Sequence, residues 1–220
     1  MSDINKAKVL VKEIQNLFLV KKFELIIKET KVAIKKFPNL SIFYNLMGLA
    51  LSQLGRLDEA KHILQVGNKI NPNDLSIINN LANVHKNKFE YDDAEKLYKF
   101  SILKKKDYVH AYVNYGNLKK DLNDFDEAIN LHETALKFSK DIPEIYFSLA
   151  SAYQSIGNFQ KAEYFSKKTL LINKKITKAD LLISRSRKYT KEDDDHLKSM
   201  NEKINNENLN TMQKIDLLFD

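Results

Sequence analysis

Along most of the chain, apolar residues recur every three or four positions, with polar residues between them. In SIFYNLMGLALSQL (41–54) and in the run from Leu57 to Ile70, this spacing gives each segment one apolar face. Both are therefore predicted helices, and Gly55 marks the turn between them. The pattern then recurs with one constant step, the distance from Ala60 to Ala94. Ala60, Ala94, Ala128 and Ala162 fall in one register, and Phe23, Leu57, Tyr91, Phe125 and Phe159 fall in a second. Gly48, Ala82, Gly116 and Ala150 form a third, Tyr44, Ile78, Tyr112 and Tyr146 a fourth, and Pro38 and Pro72 stand one step apart. The prediction is an all-α chain of five helix–turn–helix units, 7–40, 41–74, 75–108, 109–142 and 143–176. The small residue of each first helix is expected to let the second approach closely. One such hairpin cannot bury its apolar face alone, so the units must stack.

With five glycines and three prolines in 220 residues, there are few helix breakers, as long helices require. No cysteine is present, which excludes disulfides, thiolate zinc sites and cysteine nucleophiles. The first twenty residues have no long uncharged apolar core and no small-residue cleavage site and read as mature sequence, and no stretch is apolar enough to span a membrane. A cytoplasmic location is the expectation. The net charge of +7 is carried almost entirely by lysine, since Arg56, Arg185 and Arg187 are the only arginines. Specific nucleic-acid readout leans on arginine forks, so this composition argues against it. Weak electrostatic binding through Lys6, Lys8, Lys12, Lys21 and Lys22 stays a minor alternative.

The run NDFDEAINL (123–131) places three acids, Asp124, Asp126 and Glu127, close together. Their counterparts one and two units earlier are Asp92/Asp93 and Asp58/Glu59, so they are read as helix-start residues that offset the helix dipole and not as a metal site. His62, His85, His110, His132 and His196 show no ligand spacing, and no glycine-rich phosphate loop is present. No catalytic, cofactor-binding or metal-binding residue is assigned.

The repeating unit, carried by Tyr44, Met47, Gly48, Leu51, Gly55, Leu57, Ala60, Leu64, Gly67 and Pro72, resembles the tetratricopeptide repeat. The resemblance implies an α-solenoid, a right-handed superhelix whose first helices line a concave groove for a peptide or protein segment. Several positions depart from the pattern. Ile14 and Ile26 stand where the first unit should have small residues, Lys119 replaces an aromatic, and Ser166 and Thr169 weaken the last second helix. In this family the groove-facing places would fall on Asn45, Asn79, Asn80, Asn83, Lys86, Asn87, Asn114, Asn117, Lys120 and Gln154, with Leu49, His110, Ser148 and Ser151 beside them. Asn80/Asn83 and Asn114/Asn117 form a repeated pair. Two readings stand: a ladder of amides for main-chain recognition, or solvated surface of an asparagine-rich protein. On the first, alanine at all four positions abolishes capture and leaves the melting curve nearly unchanged. The family's carboxylate clamp is not matched: Asn83 and Asn114 fit, but Asn79, Glu144 and Ser148 stand where cations are needed.

After Thr177 the sequence register stops, and 177–220 is read as a helical capping or linker extension with Leu181, Leu182 and Ile183 against the last repeat. Thr190 and Asp193 are read as a helix start, and Leu217, Leu218 and Phe219 as an apolar end in need of a partner surface. Ser184, Arg185, Tyr189, Thr190, Asp194, His196, Leu197 and Met200 are similar to the segment that joins tetratricopeptide repeats to a sulfotransferase domain in bacterial proteins. That likeness implies a second reading: the substrate-recruiting arm of a sulfotransferase, acting in cis or in trans. The leading expectation is a non-catalytic scaffold with a protein or peptide partner and no cofactor.

Overall fold

The computed structural model describes residues 3–187, 194–206 and 208–218, and among them it contains thirteen helices and no strand. Five pairs account for α1 (Asp3–Leu19) and α2 (Phe23–Lys36), α3 (Ser41–Gln53) and α4 (Leu57–Ile70), α5 (Leu75–Asn87) and α6 (Tyr91–Lys104), α7 (Val109–Asp121) and α8 (Phe125–Phe138), and α9 (Pro143–Ser155) and α10 (Phe159–Ile172). Then come α11 (Thr177–Ser186), α12 (Asp194–Asn206) and α13 (Thr211–Leu218). The protein divides into two compact units, Met1–Asn114 and Tyr115–Asp220.

The turns inside the pairs share one backbone solution. Lys21, Gly55, Phe89, Asn123 and Gly157 all have positive φ, between 53° and 77°, and each stands one repeat after the last. At Gly55 the following amide, Arg56 N, donates to Leu51 O at 3.0 Å, and Gly55 N donates to Ser52 O at 3.1 Å. This is the Schellman end of a helix, which satisfies two carbonyls that the helix itself leaves open. The six-to-one bond recurs at Lys22, Glu90, Asp124 and Asn158. Glycine fills only two of the five places, so the sequence signal for the turn is weaker than the turn itself.

In the first unit the core is built from Ile14, Ile26, Phe43, Leu51, Leu64 and Ile77, each at most 1% exposed. Gly48 explains how α3 and α4 come so close: a Cβ there would sit 2.5 Å from Leu64 Cγ. The first pair solves the same contact in reverse. Ile14 takes the place of Gly48, and the buried Thr30 takes that of Leu64. Thr30 Oγ1 donates to Ile26 O at 2.7 Å, so its hydroxyl is satisfied inside the helix.

In the second unit Gly116 stands against His132, whose Nε2 would be 2.7 Å from an added Cβ. Lys119, in the aromatic place, lies over the Tyr115 ring at 5.4 Å and reaches Asp124 at 3.7 Å. Ser166 and Thr169 are fully buried on α10, and Thr169 Oγ1 donates back to Phe165 O at 3.0 Å.

The structure corrects the expectation that the period ends at Thr177. Helix α11 starts at Thr177, one full step after Pro143, and α12, described from Asp194, lies where the same step from α10 puts a second helix. The side-chain pairing persists as well. Ser184 touches Met200 at 3.9 Å, the counterpart of Gly48 on Leu64. Asp180 bonds Lys203, the counterpart of Tyr44 on Gly67. The sequence hides this hairpin because polar residues have taken its signature places.

Leu182 and Ile183 are buried, and α13 lies on α11 through Thr177 Oγ1 donating to Asp216 Oδ2 at 2.8 Å. Leu217 packs with Met200, Leu209 and Ile204, while Leu218 is exposed. Tyr189, Thr190, Asp193 and Phe219 lie outside the described residues.

Candidate peptide-binding groove

In the first unit, α3, α5 and the first turns of α7 place four asparagines where side chains of successive repeats meet. Asn80 Nδ2 donates to Asn45 Oδ1 at 2.8 Å, and Asn114 Nδ2 donates to Asn79 Oδ1 at 3.2 Å. Tyr98 Oη, from α6, donates to Asn83 Oδ1 at 2.6 Å. Each bond joins places that the sequence separates by a repeat or by a helix, and it fixes the rotamer of the amide. Beside these bonds runs a depression of about 200 Å³ lined by Leu49, Gln53, Asn80, Asn83, Lys86 and Asn114. Asn87, at the end of α5, is exposed and also lines it.

Asn79 departs from the groove expectation. It is 6% exposed, and its oxygen is taken by Asn114, so it braces the amide above it and does not face a ligand. An amide carries two donors and an acceptor with two lone pairs, so one bond leaves capacity. Among the described residues, Asn83 keeps both N–H donors, because only its oxygen is bonded, and Asn80 and Asn114 each keep one N–H donor and the oxygen.

In the second unit, Ser148 Oγ donates to Asn117 Oδ1 at 3.0 Å, again leaving the amide's N–H donors for other use. Lys120 on α7 and Gln154 on α9 are half-buried, as is Ser151. His110, beside the groove places in the first unit, is exposed and stacks edge-on against Tyr108, 5.8 Å between centroids.

His85, Glu90 and Asp93 bring ligand atoms within 4.8 Å of one another, an arrangement that could suit a cation. The carboxylate is already engaged, however. Lys61 Nζ lies 2.7 Å and Lys88 Nζ 3.5 Å from Glu90, and this holds its carboxyl down to about 2, chiefly through the Lys61 hydrogen bond. Both oxygens of Glu90 are thus paired with ammonium groups. Asp124 caps α8, its Oδ1 accepting from Glu127 N at 3.4 Å, and Asp126 and Glu127 stand in the first turn of that helix. Of the linker-like residues, Ser184, Met200 and His196 all point into the α11–α12 hairpin, with His196 Nε2 3.3 Å from Asp180. Their spacing is thus accounted for by packing within the hairpin.

Family models agree with this geometry. Models described as TPR repeat or tetratricopeptide repeat match residues 42–74, 75–99, 116–157 and 143–175. The chain is a tetratricopeptide-repeat protein. No curated protein matches it. Among solved structures, this repeat protein is similar to PilW, described as a widely conserved type IV pilus biogenesis factor. The TM-score is 0.76 at 14% identity over 99% of this chain and 100% of that one. It is also similar to a thermophilic TPR protein of Thermus thermophilus, with TM-score 0.74 at 17% identity over 82% and 98%. A third is a PilF protein of Pseudomonas aeruginosa, with TM-score 0.69 at 17% identity over 80% and 81%. At such identities the likeness concerns the fold. Among the described residues, no helix is long and apolar enough to cross a membrane.

Proposed function

We propose that this repeat protein is a non-catalytic scaffold that holds a peptide or protein segment along its first helices. The observation that carries the reading is the set of amides fixed by one bond each, Asn80 on Asn45, Asn114 on Asn79 and Asn83 on Tyr98, with donors left over beside a depression. Groups held in place before binding lose little entropy when the ligand arrives. Donors of this kind suit carbonyl oxygens, so the backbone carbonyls of an extended segment are the natural ligand, with Lys86 favouring an acidic residue nearby.

The same bonds alter the test. Alanine at Asn80, Asn83, Asn114 and Asn117 would strip Tyr98, Asn79 and Ser148 of their partners, so it mixes stability with binding. Asn83→Asp and Asn117→Asp are cleaner, since each keeps the accepting oxygen and replaces the N–H donors by a charged acceptor. The immobilised protein should enrich a peptide family from a displayed random library, and the double variant should lose that enrichment with an unchanged melting curve. Equal enrichment by both proteins contradicts the proposal. The sulfotransferase-arm reading rests on the linker likeness alone, and a phosphate-binding loop encoded beyond Asp220 would decide for it.

A further inference from the structure

The hairpin of α11 and α12 has lost two large residues that its predecessors keep. One period earlier, Asp180 corresponds to Tyr146 and Ser199 to Phe165, whose rings lie 6.4 Å apart in the preceding pair. Asp180 also follows Tyr44, Ile78 and Tyr112 in that register, so an aromatic or branched apolar residue is the rule. Lys203, in the place of Thr169, reaches Asp180 and takes up the space of the lost tyrosine, while at Ser199 a hydroxyl replaces the Phe165 ring and the space beside it stays open. A cavity of about 610 Å³ lies there between α10, α11 and α12. That is within the range of about 300–1,000 Å³ usual for ligand sites.

Its chemistry is divided. Leu170, Leu171 and Ile183 supply apolar surface, and Leu171 is 76% exposed on α10. Asp180, fully buried, lies at the inner end with both oxygens on Lys203 Nζ at 2.7 and 2.8 Å and His196 Nε2 at 3.3 Å. Lys167 and Lys174 are exposed at the rim. Lys167 is paired with Glu163 at 2.7 Å, while among the described residues none neutralises Lys174. The lining itself holds three lysines, Lys167, Lys174 and Lys203, against Asp180 and Glu202, a small positive excess that favours an anionic neighbour at the Lys174 rim.

We propose that this cavity takes a tyrosine side chain from an acidic segment of a partner protein, in the space that the repeat's own aromatic fills elsewhere. The ring lies against Leu170, Leu171 and Ile183, the hydroxyl reaches Ser199, and acidic neighbours of the tyrosine meet Lys174. The site shares no residue with the asparagine groove, so it stands or falls independently of that reading.

The probe is the peptide acetyl-Glu-Glu-Tyr-Glu-Glu-amide, titrated into the isotope-labelled full-length protein and followed by amide NMR. Saturable shifts are expected at Ile183, His196 and Ser199, and replacing the tyrosine by alanine should weaken binding about tenfold or more, as for a buried aromatic anchor. Ser199→Phe refills the cavity with the repeat's own residue and should abolish the shifts at an equal or higher melting temperature. Leu171→Asp, at an exposed position, should weaken binding as well, and Lys174→Glu should do so with loss of salt dependence. Binding that survives both Ser199→Phe and Leu171→Asp, or that ignores the loss of the tyrosine ring, overturns the proposal. So does the absence of saturable shifts at those three residues.

Discussion

Replacing His132 by leucine should stabilise the protein and remove a pH dependence that the ring creates. His132 is fully buried against Gly116, and neither ring nitrogen has a hydrogen-bond partner among the described residues. Burial, with a smaller contribution from the nearby Lys120 charge, lowers its pKa from 6.5 to about 4. In the unfolded state the ring takes up its proton near pH 6.5, so the unfolded state binds more protons between the two values. Stability is therefore level above about pH 7, falls as the pH drops through 6.5, and levels off again below about 4. At 1.36 kcal/mol per pKa unit, the loss is about 3 kcal/mol in full and about 2 kcal/mol by pH 5. At neutral pH the unmatched nitrogens alone cost about 1–3 kcal/mol. Leucine already fills the same place in the second pair, as Leu64 against Gly48, so it fits the slot without new strain. Urea unfolding followed by far-ultraviolet circular dichroism at pH 7.5 and pH 5 gives the comparison. Other titrating groups act on both proteins alike, so the difference between them isolates the ring. Repeat arrays can unfold in parts, and hydrogen exchange of the α8 amides supplies a local reading. If His132→Leu loses as much stability as the wild type between the two pH values, the reasoning is refuted.

Phe89 holds φ of 62° with its side chain 76% exposed, so Phe89→Gly should raise stability by about 0.5–1 kcal/mol in thermal melts, less whatever its edge contact with Tyr91 contributes. Asp74 caps α5 by accepting from Ser76 N at 3.0 Å and Ile77 N at 3.4 Å, and Asp74→Ala should cost about 1 kcal/mol in the same assay. Lys203→Met leaves the buried Asp180 carboxylate without its cation and should cost about 3–5 kcal/mol, seen as early exchange of the α11 amides. Asp180→Tyr combined with Lys203→Ala restores the pair found as Tyr112 and Ala135 and should be neutral or stabilising, as when a buried ion pair gives way to well-packed apolar residues.

The repeat period was legible in the sequence because packing two helices per unit demands the same small, aromatic and apolar places each time. Ala60, Ala94, Ala128 and Ala162 are all fully buried, as one register in one environment requires. The turn chemistry was half legible: glycine marks Gly55 and Gly157, but Lys21, Phe89 and Asn123 adopt the same left-handed backbone because the helices on either side enforce it. Other features depended on three-dimensional contact. Asn79 holds a groove place by register, yet its burial and its bond to Asn114 make it a brace, a fact about an atom 35 residues away. The α11–α12 hairpin is hidden in the residue pattern because Asp180, His196 and Lys203 share no side-chain type with the places they occupy, and only their mutual bonds make them fit. Residue pattern determined the helices and their spacing, since these follow from which faces must leave water. Which polar atoms pair, which stay available, and where a cavity opens depended on distances that only the folded protein sets.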